Sequence, residues 1–469
     1  MLRIALFTPL RPVRTALADH IEGILPLLAR KLDITVVTKG DYTPTDSMFQ
    51  KKAAPYVPYI SYREFQRNPG GYDLIVYQMG DEPEIHGYML EALAEHPGLV
   101  LLNDLVMHHA IAGTTLNRGR PDQYLDEMRY SYGQLGVRVA HRLMAGERDD
   151  LMWQFPLVER ILDQSLAVAG FNGYMCEQIR VLRPELPQRL IPYPFYMPEG
   201  FSEAFDADEL RDRLDLDDRL VVASFGFFIP DKRLRLVMRA FGRVLEKHPR
   251  AFYLLVGGSS PYYDLDAELR LEGLDQHMRL TGWQDPVAFA EFMHIIDIAV
   301  HLRWPHIGGT PYTPIRLLGL GVPTIISDIE PLAEIPQEAV LRIPPNHPDE
   351  EELLAQAIDE LLSDPRKASE MAQAGQRHIQ EHHNLEQIAE QYLSYIRWVV
   401  EHREPLENKV HERRQRWESP EPCPGYERTI GVLGEALSGL GLTSDQERWI
   451  RPFAQVVDEL LGPEESAGC

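Results

Sequence analysis

Short apolar runs, each followed by a turn and a helical stretch, recur along most of the 469 residues, and this rhythm constrains the fold more than any other feature. Arg3 to Phe7 runs into the turn Thr8-Pro9-Leu10-Arg11-Pro12, after which Leu17, Ile21, Ile24, Leu25 and Leu28 recur at helical spacing. Ile34–Thr38, Tyr72–Tyr77, Gly98–Leu102, Leu166–Gly170 and Leu190–Pro192 repeat the pattern, with a long helical region over about 123–163 between them. Such alternation predicts a parallel sheet buried on both faces, hence an α/β fold. Met197 to Arg219 is rich in Asp and Glu and poor in apolar sequence, as a hinge followed by a solvated helix would be. The rhythm then restarts with Leu220–Phe225, a helix from about Lys232 to Lys247, Phe252–Val256, Met278–Leu280, a helix from Ala288 to Ile295, Ile298–Val300 and Pro323–Ile326. The expectation is two doubly wound, Rossmann-like domains in tandem, 1–197 and 198–384. A closing helix, 385–402, is expected to pack back toward the first domain. For 403–469 a charged linker and a helical tail are expected, the last helix opening on the capping-box spacing Ser444-x-x-Glu447 and broken at Pro452.

Length agrees, since one hydrophobic core does not extend over a chain of this size. A hydrophobic fraction of 44% supplies material for packed cores and excludes a mainly disordered chain. The net charge of −24 repels phosphate backbones, which argues against nucleic acid as a partner. The three cysteines, Cys176, Cys423 and Cys469, are far apart and form no metal-ligand spacing. A reducing cytoplasm is the expected compartment: the apolar start is too short for a signal segment, and no run reaches the roughly 18 apolar residues of a membrane span. Arg11, Arg14, Arg30 and Lys31 form a modest basic patch that would serve peripheral membrane contact, with a solvated helix face as the competing reading.

Loops after parallel strands converge on one crevice, so the candidate chemistry is expected there. Gly226-Phe227-Phe228-Ile229-Pro230-Asp231-Lys232-Arg233 lies between a strand and a helix, where free backbone N–H groups and the Lys232 charge would hold a diphosphate. The competing reading makes Lys232 and Arg233 solvated residues of the first helical turn. Gly257-Gly258 is a weaker, turn-like signal. Leu302 to Tyr312 contains Arg303, whose guanidinium matches phosphate oxygens, and the loop Gly308-Gly309-Thr310 ahead of an apolar helix. In the first half, Asp19, His20, Asp81, Glu82, His86, Asn103, Asp104, His108 and His109 follow strands and are suited to binding sugar hydroxyls or moving protons. Adjacent histidines point apart on a helix, so His108-His109 makes no metal site.

At these residues the chain resembles the family-4 retaining glycosyltransferases of the GT-B fold, over about 1–400. Tyr77-Gln78-Met79-Gly80 with His86, and Leu102-Asn103-Asp104-Leu105-Val106-Met107-His108-His109, are similar to a bacterial subgroup in which the second stretch usually reads Leu-His-Asp. Thr281-Gly282-Trp283, Asp297-Ile298-Ala299-Val300, Gly321-Val322-Pro323, Ser327-Asp328 and Glu334 match the donor-side half of the family. The departures are specific. Phe227 stands where the family has a phosphate-binding Arg, although Lys232 is retained. Of the two hallmark glutamates, the first position holds Gly308 or Gly309 and the second Arg316, and Asn103 replaces the imidazole expected beside the donor sugar.

The resemblance implies transfer of a sugar from a nucleotide diphosphate-sugar to a carbohydrate, lipid-linked or small-molecule acceptor, with retention at the anomeric carbon and without a metal or other cofactor. It places Asn103, Asp104 and His86 in catalytic positions, and Gly226, Lys232, Arg233, Arg303, Gly308, Gly309, Thr310 and Arg316 in donor binding. The missing glutamates keep a second expectation open, a non-catalytic binding or scaffold subunit of a glycan-assembly system. An epimerase or phosphorylase on the same fold has no further acid/base pair to support it.

Overall fold

The computed structural model describes residues 1–50, 55–147, 151–202, 204–260 and 264–418. Each restart of the sequence rhythm builds one parallel sheet. The first comprises β1 (Arg3–Phe7), β2 (Asp33–Thr38), β3 (Tyr59–Ser61), β4 (Leu74–Met79), β5 (Leu99–Leu102), β6 (Ala167–Gly170) and β7 (Gln188–Leu190), in the order β3-β2-β1-β4-β5-β6-β7. The second comprises β8 (Leu220–Phe225), β9 (Ala251–Val256), β10 (Met278–Gly282), β11 (Ile298–His301), β12 (Thr324–Ser327) and β13 (Leu341–Ile343), in the order β10-β9-β8-β11-β12-β13. In each sheet the chain winds first to one side and then to the other, so neighbouring loops diverge and leave a crevice at the switch point. That point lies between β1 and β4 in the first domain and between β8 and β11 in the second.

The helix Leu385–Glu401 packs on the first domain, not the second in which it follows. Its Tyr392, Leu393 and Ile396 share one buried cluster with Ile21 and Ile24 of the helix Ala16–Ala29 and with Ile4 and Leu6 of β1. Burial of each such side chain contributes on the order of 1.5–3 kcal/mol. The chain crosses between domains twice, and the crossings touch: Phe195 N donates to His383 O at 2.7 Å, and His383 Nδ1 donates to Tyr193 O at 2.6 Å.

The stretch after His402, expected as a linker, is instead the helix Arg403–Glu418. Two features favour helix over linker: the ion pairs Arg403–Glu407 and Lys409–Glu412 along its exposed side, and a narrow buried stripe of Leu406, Val410 and Arg413 at helical spacing. Arg413 is 2% exposed and donates to the carbonyls of Asp163 (3.3 Å) and Ser165 (2.5 Å), fastening the helix to the first domain. The expected helix pair with Ser444, Glu447 and Pro452 lies outside the described residues. The long helical region resolves into Pro121–Met144, which turns sharply at Gly133, and the short helices Leu151–Gln154 and Glu159–Gln164. No helix among the described residues is long and apolar enough to cross a membrane.

Candidate active site

The two switch points face each other across the seam between the domains. The loop after β8 differs from expectation in one respect: the helix starts at Leu234, and Lys232 belongs to a preceding short 3-10 turn, Pro230–Lys232. Arg233, at φ 58, takes the left-handed conformation that lets the chain turn back. Lys232 is thereby lifted out of the first helical turn and reaches over the end of β8. Its Nζ lies 3.9 Å from where a Cβ on Gly226 would stand. Burial and the neighbouring Arg303 guanidinium lower the Lys232 pKa to about 7, against the pull of Asp231. Among the described residues its ammonium has no hydrogen bond or ion-pair partner. Arg303, after β11, lies 3.1 Å from the Asp231 carboxylate, so one of the two cations is already matched. His301, at the end of β11, is buried and held neutral, its pKa driven well down by burial with Lys232 and Arg303 adding to the effect. The structure therefore gathers Gly226, Lys232 and Arg303, and sends Arg233 elsewhere: its guanidinium pairs with the buried Glu350 on the far side of the loop.

On the opposing side, β5 ends in Asn103-Asp104. The Asp104 carboxylate accepts from Asp81 N at 3.0 Å and is buried, which pushes its pKa up to about 6. Glu82 and Asp81 are also raised by burial, Glu82 further by repulsion from Asp104 and Asp81. Asn103 accepts from the Tyr193 hydroxyl. His86 is 1% exposed and its pKa falls to about 3, so it stands as a neutral ring behind Gly80 and not as a charged group in the crevice. His108 has both nitrogens engaged, Nδ1 donating to Phe155 O (2.5 Å) and Nε2 accepting from Tyr124 OH (2.7 Å), which makes it structural. His109 has one nitrogen engaged, Nδ1 donating to the Asp81 carboxylate at 2.6 Å.

The loop after β11 is fastened into the first domain. Ile307 O accepts from Leu105 N (2.8 Å) and Val106 N (3.0 Å). Asn172 Nδ2 donates to Gly308 O (3.1 Å) and Thr310 Oγ1 (2.9 Å), and Thr310 Oγ1 donates to Phe171 O at 3.1 Å. Close approach explains both glycines. A Cβ on Gly308 would meet Leu105 Cβ at 2.6 Å, and one on Gly309 would meet Asn103 O at 2.2 Å and Asp104 Oδ1 at 2.7 Å. Glu334 accepts from Gly173 N at 2.7 Å, placing its charge at the positive end of the helix Gly173–Leu182. Arg316, buried, lies over the rings of Phe289 (5.4 Å) and Tyr312 (5.8 Å), outside the Lys232 cluster.

The basic patch considered from sequence is not one surface. Arg11 is ion-paired with Glu22, Asp19 and Asp46, and Arg14 stacks across the seam 4.3 Å from the ring centroid of Trp283. Sequence reasoning did not single out Asn172, Asp231 or His301, nor pair Asp81 with His109. For Asp231 and His301 a signal existed, since one directly precedes Lys232 and the other ends a strand.

Residues 206–378 match the family model described as glycosyl transferases group 1. Among solved structures, Anabaena Alr3699/HepE in complex with UDP and glucose is similar with a TM-score of 0.60 at 13% identity, over 84% of this chain and 99% of that one. Sucrose-phosphate synthase from Thermosynechococcus elongatus is similar with a TM-score of 0.60 at 19% identity, over 85% and 99%. WaaG, a glycosyltransferase involved in lipopolysaccharide biosynthesis, is similar with a TM-score of 0.58 at 12% identity, over 84% and 99%. No curated protein matches the sequence. With two parallel-sheet domains facing across a seam, and the match to the glycosyl transferases group 1 model lying in the second, the chain has the GT-B fold.

Proposed function

We propose that this protein transfers a glycosyl unit from a nucleotide diphosphate-sugar to an acceptor hydroxyl, the diphosphate lying against Lys232 and the sugar toward Asn103 and Asp104. The observation that carries the reading is Lys232, a cation in a poorly solvated place, without a partner among the described residues and with its pKa depressed to about 7. A group in that state gains most from an anion. Arg303 stands next to it, and the Gly308-Gly309-Thr310 loop that follows in the chain lies against Asn103 and Asp104; both are on the donor side of the reading. Arg316 is assigned to the nucleoside side and Arg233 to holding the loop through Glu350. UDP and UDP-glucose are bound by structural neighbours, which makes uridine nucleotides the first donors to try. The protein's part is to orient donor and acceptor and to stabilise the departing diphosphate. Lys232 and Arg303 supply that charge, so the proposal includes no metal. Retention is part of it, and the anomeric proton coupling of the product reads that out. The acceptor class, carbohydrate, lipid-linked or small molecule, is left to that assay.

The test is a thermal-shift screen of nucleotide diphosphate-sugars, since a ligand at about a hundred times its Kd adds roughly 2.7 kcal/mol. A donor that stabilises the wild type and is turned over, and that a folded Lys232→Ala variant binds at least tenfold more weakly, supports the reading. Equal binding and turnover by that variant would refute it. One observation favours a second reading, a non-catalytic binding subunit: the loop at Gly309 presses directly on Asn103 and Asp104 and so occupies the space between the two sides. Binding without turnover of any donor would select that alternative.

A further inference from the structure

The pair His109–Asp81 is not used by the reading above, and its geometry is that of an oriented base. Asp81 is fixed at the switch point of the first sheet, where its Oδ1 accepts from Ala110 N at 2.9 Å. Its Oδ2 accepts from His109 Nδ1 at 2.6 Å. A carboxylate accepts only, so the proton of the neutral ring is held on Nδ1 and the lone pair is left on Nε2. That nitrogen has no partner among the described residues, and the side chain is 39% exposed while Asp81 is 10% exposed. An imidazole with one nitrogen oriented by a carboxylate and the other open to solvent differs from its neighbour His108, both of whose nitrogens are consumed.

The ring also faces the seam. Leu105 and Val106, just before its helix His108–Thr114, bond the donor loop at Ile307 O. The charges acting on His109 come from both domains: Asp81 and Asp104 on its own side, and Asp231, beside Lys232, on the other. Trp153, from the helix Leu151–Gln154, packs against the ring with centroids 5.6 Å apart and an interplanar angle of 70°. Burial disfavours the charged ring, but Asp81, Asp231 and Asp104 together outweigh it and raise the pKa above its ordinary value.

Resting on the glycosyl-transfer reading, we infer that His109 is a catalytic residue whose Nε2 removes the proton from the acceptor hydroxyl, with Asp81 as its positioning residue. The bond from the anomeric carbon to the phosphate oxygen breaks ahead of the new one, and the acceptor oxygen bonds to that carbon on the face the diphosphate leaves, which keeps the configuration. The electron pair leaves with the diphosphate, which Lys232 faces, and the acceptor proton goes to Nε2 and afterwards to water. The departing diphosphate then need not take the proton itself. The Asp81 carboxylate stabilises the imidazolium formed, and a base with a pKa close to working pH is the most efficient kind.

The experiment measures nucleoside diphosphate release from UDP-, GDP- and ADP-sugars, with water as the acceptor, for wild type, His109→Gln and Asp81→Asn across pH 5 to 9. Affinity for UDP and GDP is measured alongside. The expected result is a wild-type rate that falls as pH drops through the His109 pKa. In His109→Gln that acid limb disappears and kcat is lower by about a hundredfold or more, with nucleotide affinity unchanged. In Asp81→Asn the limb moves to lower pH and kcat falls less. A His109→Gln enzyme that binds nucleotide normally and keeps the wild-type kcat and acid limb overturns the inference and leaves the transfer reading intact. A wild-type chain that neither binds nor consumes any of these donors overturns the transfer reading, and the role of His109 with it.

Discussion

Lys232 is a cation in a place that disfavours charge, and this has a sign that is testable. Its pKa of about 7 lies below the ordinary 10.5. Between those values the unfolded chain binds more protons than the folded one, so this residue makes stability rise with pH through that window. Anion binding reverses the effect, because a bound diphosphate favours the charged form. Titration of UDP at pH 8.5 in two buffers of different protonation enthalpy is expected to show proton uptake. Affinity is expected to weaken from pH 7 upward by at most tenfold per unit. Affinity independent of pH with no proton uptake would dissociate Lys232 from the anion site. Gly309 offers a second residue-level test. A methyl there meets Asn103 and Asp104, which belong to the other domain, so each domain is left intact while their approach is blocked. Gly309→Ala is expected to lower turnover about a hundredfold with nucleotide affinity and melting temperature nearly unchanged. A large loss of melting temperature would mean the glycine serves folding instead.

At the level of elements, the helix Arg403–Glu418 makes the clearest energetic claim. Arg413→Ala removes donors from the carbonyls of Asp163 and Ser165 inside the protein. Buried acceptors left unmatched cost roughly 1–3 kcal/mol, and urea unfolding followed by a probe on the first domain is the measurement. The helix also shows where sequence reading stops. Long, apolar strands such as β1, β4, β8 and β9 were readable because burial on both faces demands continuous hydrophobicity. The three-residue strands β3 and β13 carry too few residues to show a period. Residues 403–418 read as linker because their stripe is only Leu406, Val410 and an arginine, and no local pattern announces that an arginine will be buried. The same limit applied at the site. Lys232 was legible from its loop, whereas the approach of Gly309 to Asn103, the use of Glu334 as a cap and the pairing of Asp81 with His109 depend on segments far apart in sequence.

For the whole molecule, the seam is closed by contacts that belong to neither domain alone. Glu334 is among them, bridging to the N-terminus of the helix Gly173–Leu182. Glu334→Ala is expected to leave each domain folded and to increase the radius of gyration of the unliganded protein in small-angle scattering, with nucleotide reversing the increase. An unchanged radius in solution would mean the remaining contacts hold the seam without it.

The chain's two crossings lie side by side, at Phe195 and His383. Tethers set at one place act as a pivot, so the domains retain mainly a rotation and little freedom to slide. Tyr312, whose hydroxyl donates to Pro194 O at 2.9 Å, adjoins that pivot and is a contact that a small rotation spares. The bonds at Ile307, Gly308 and Thr310 all belong to one short loop and break together. A rotation that opened the seam would therefore release these bonds as a set, together with the Glu334 contact on the same seam.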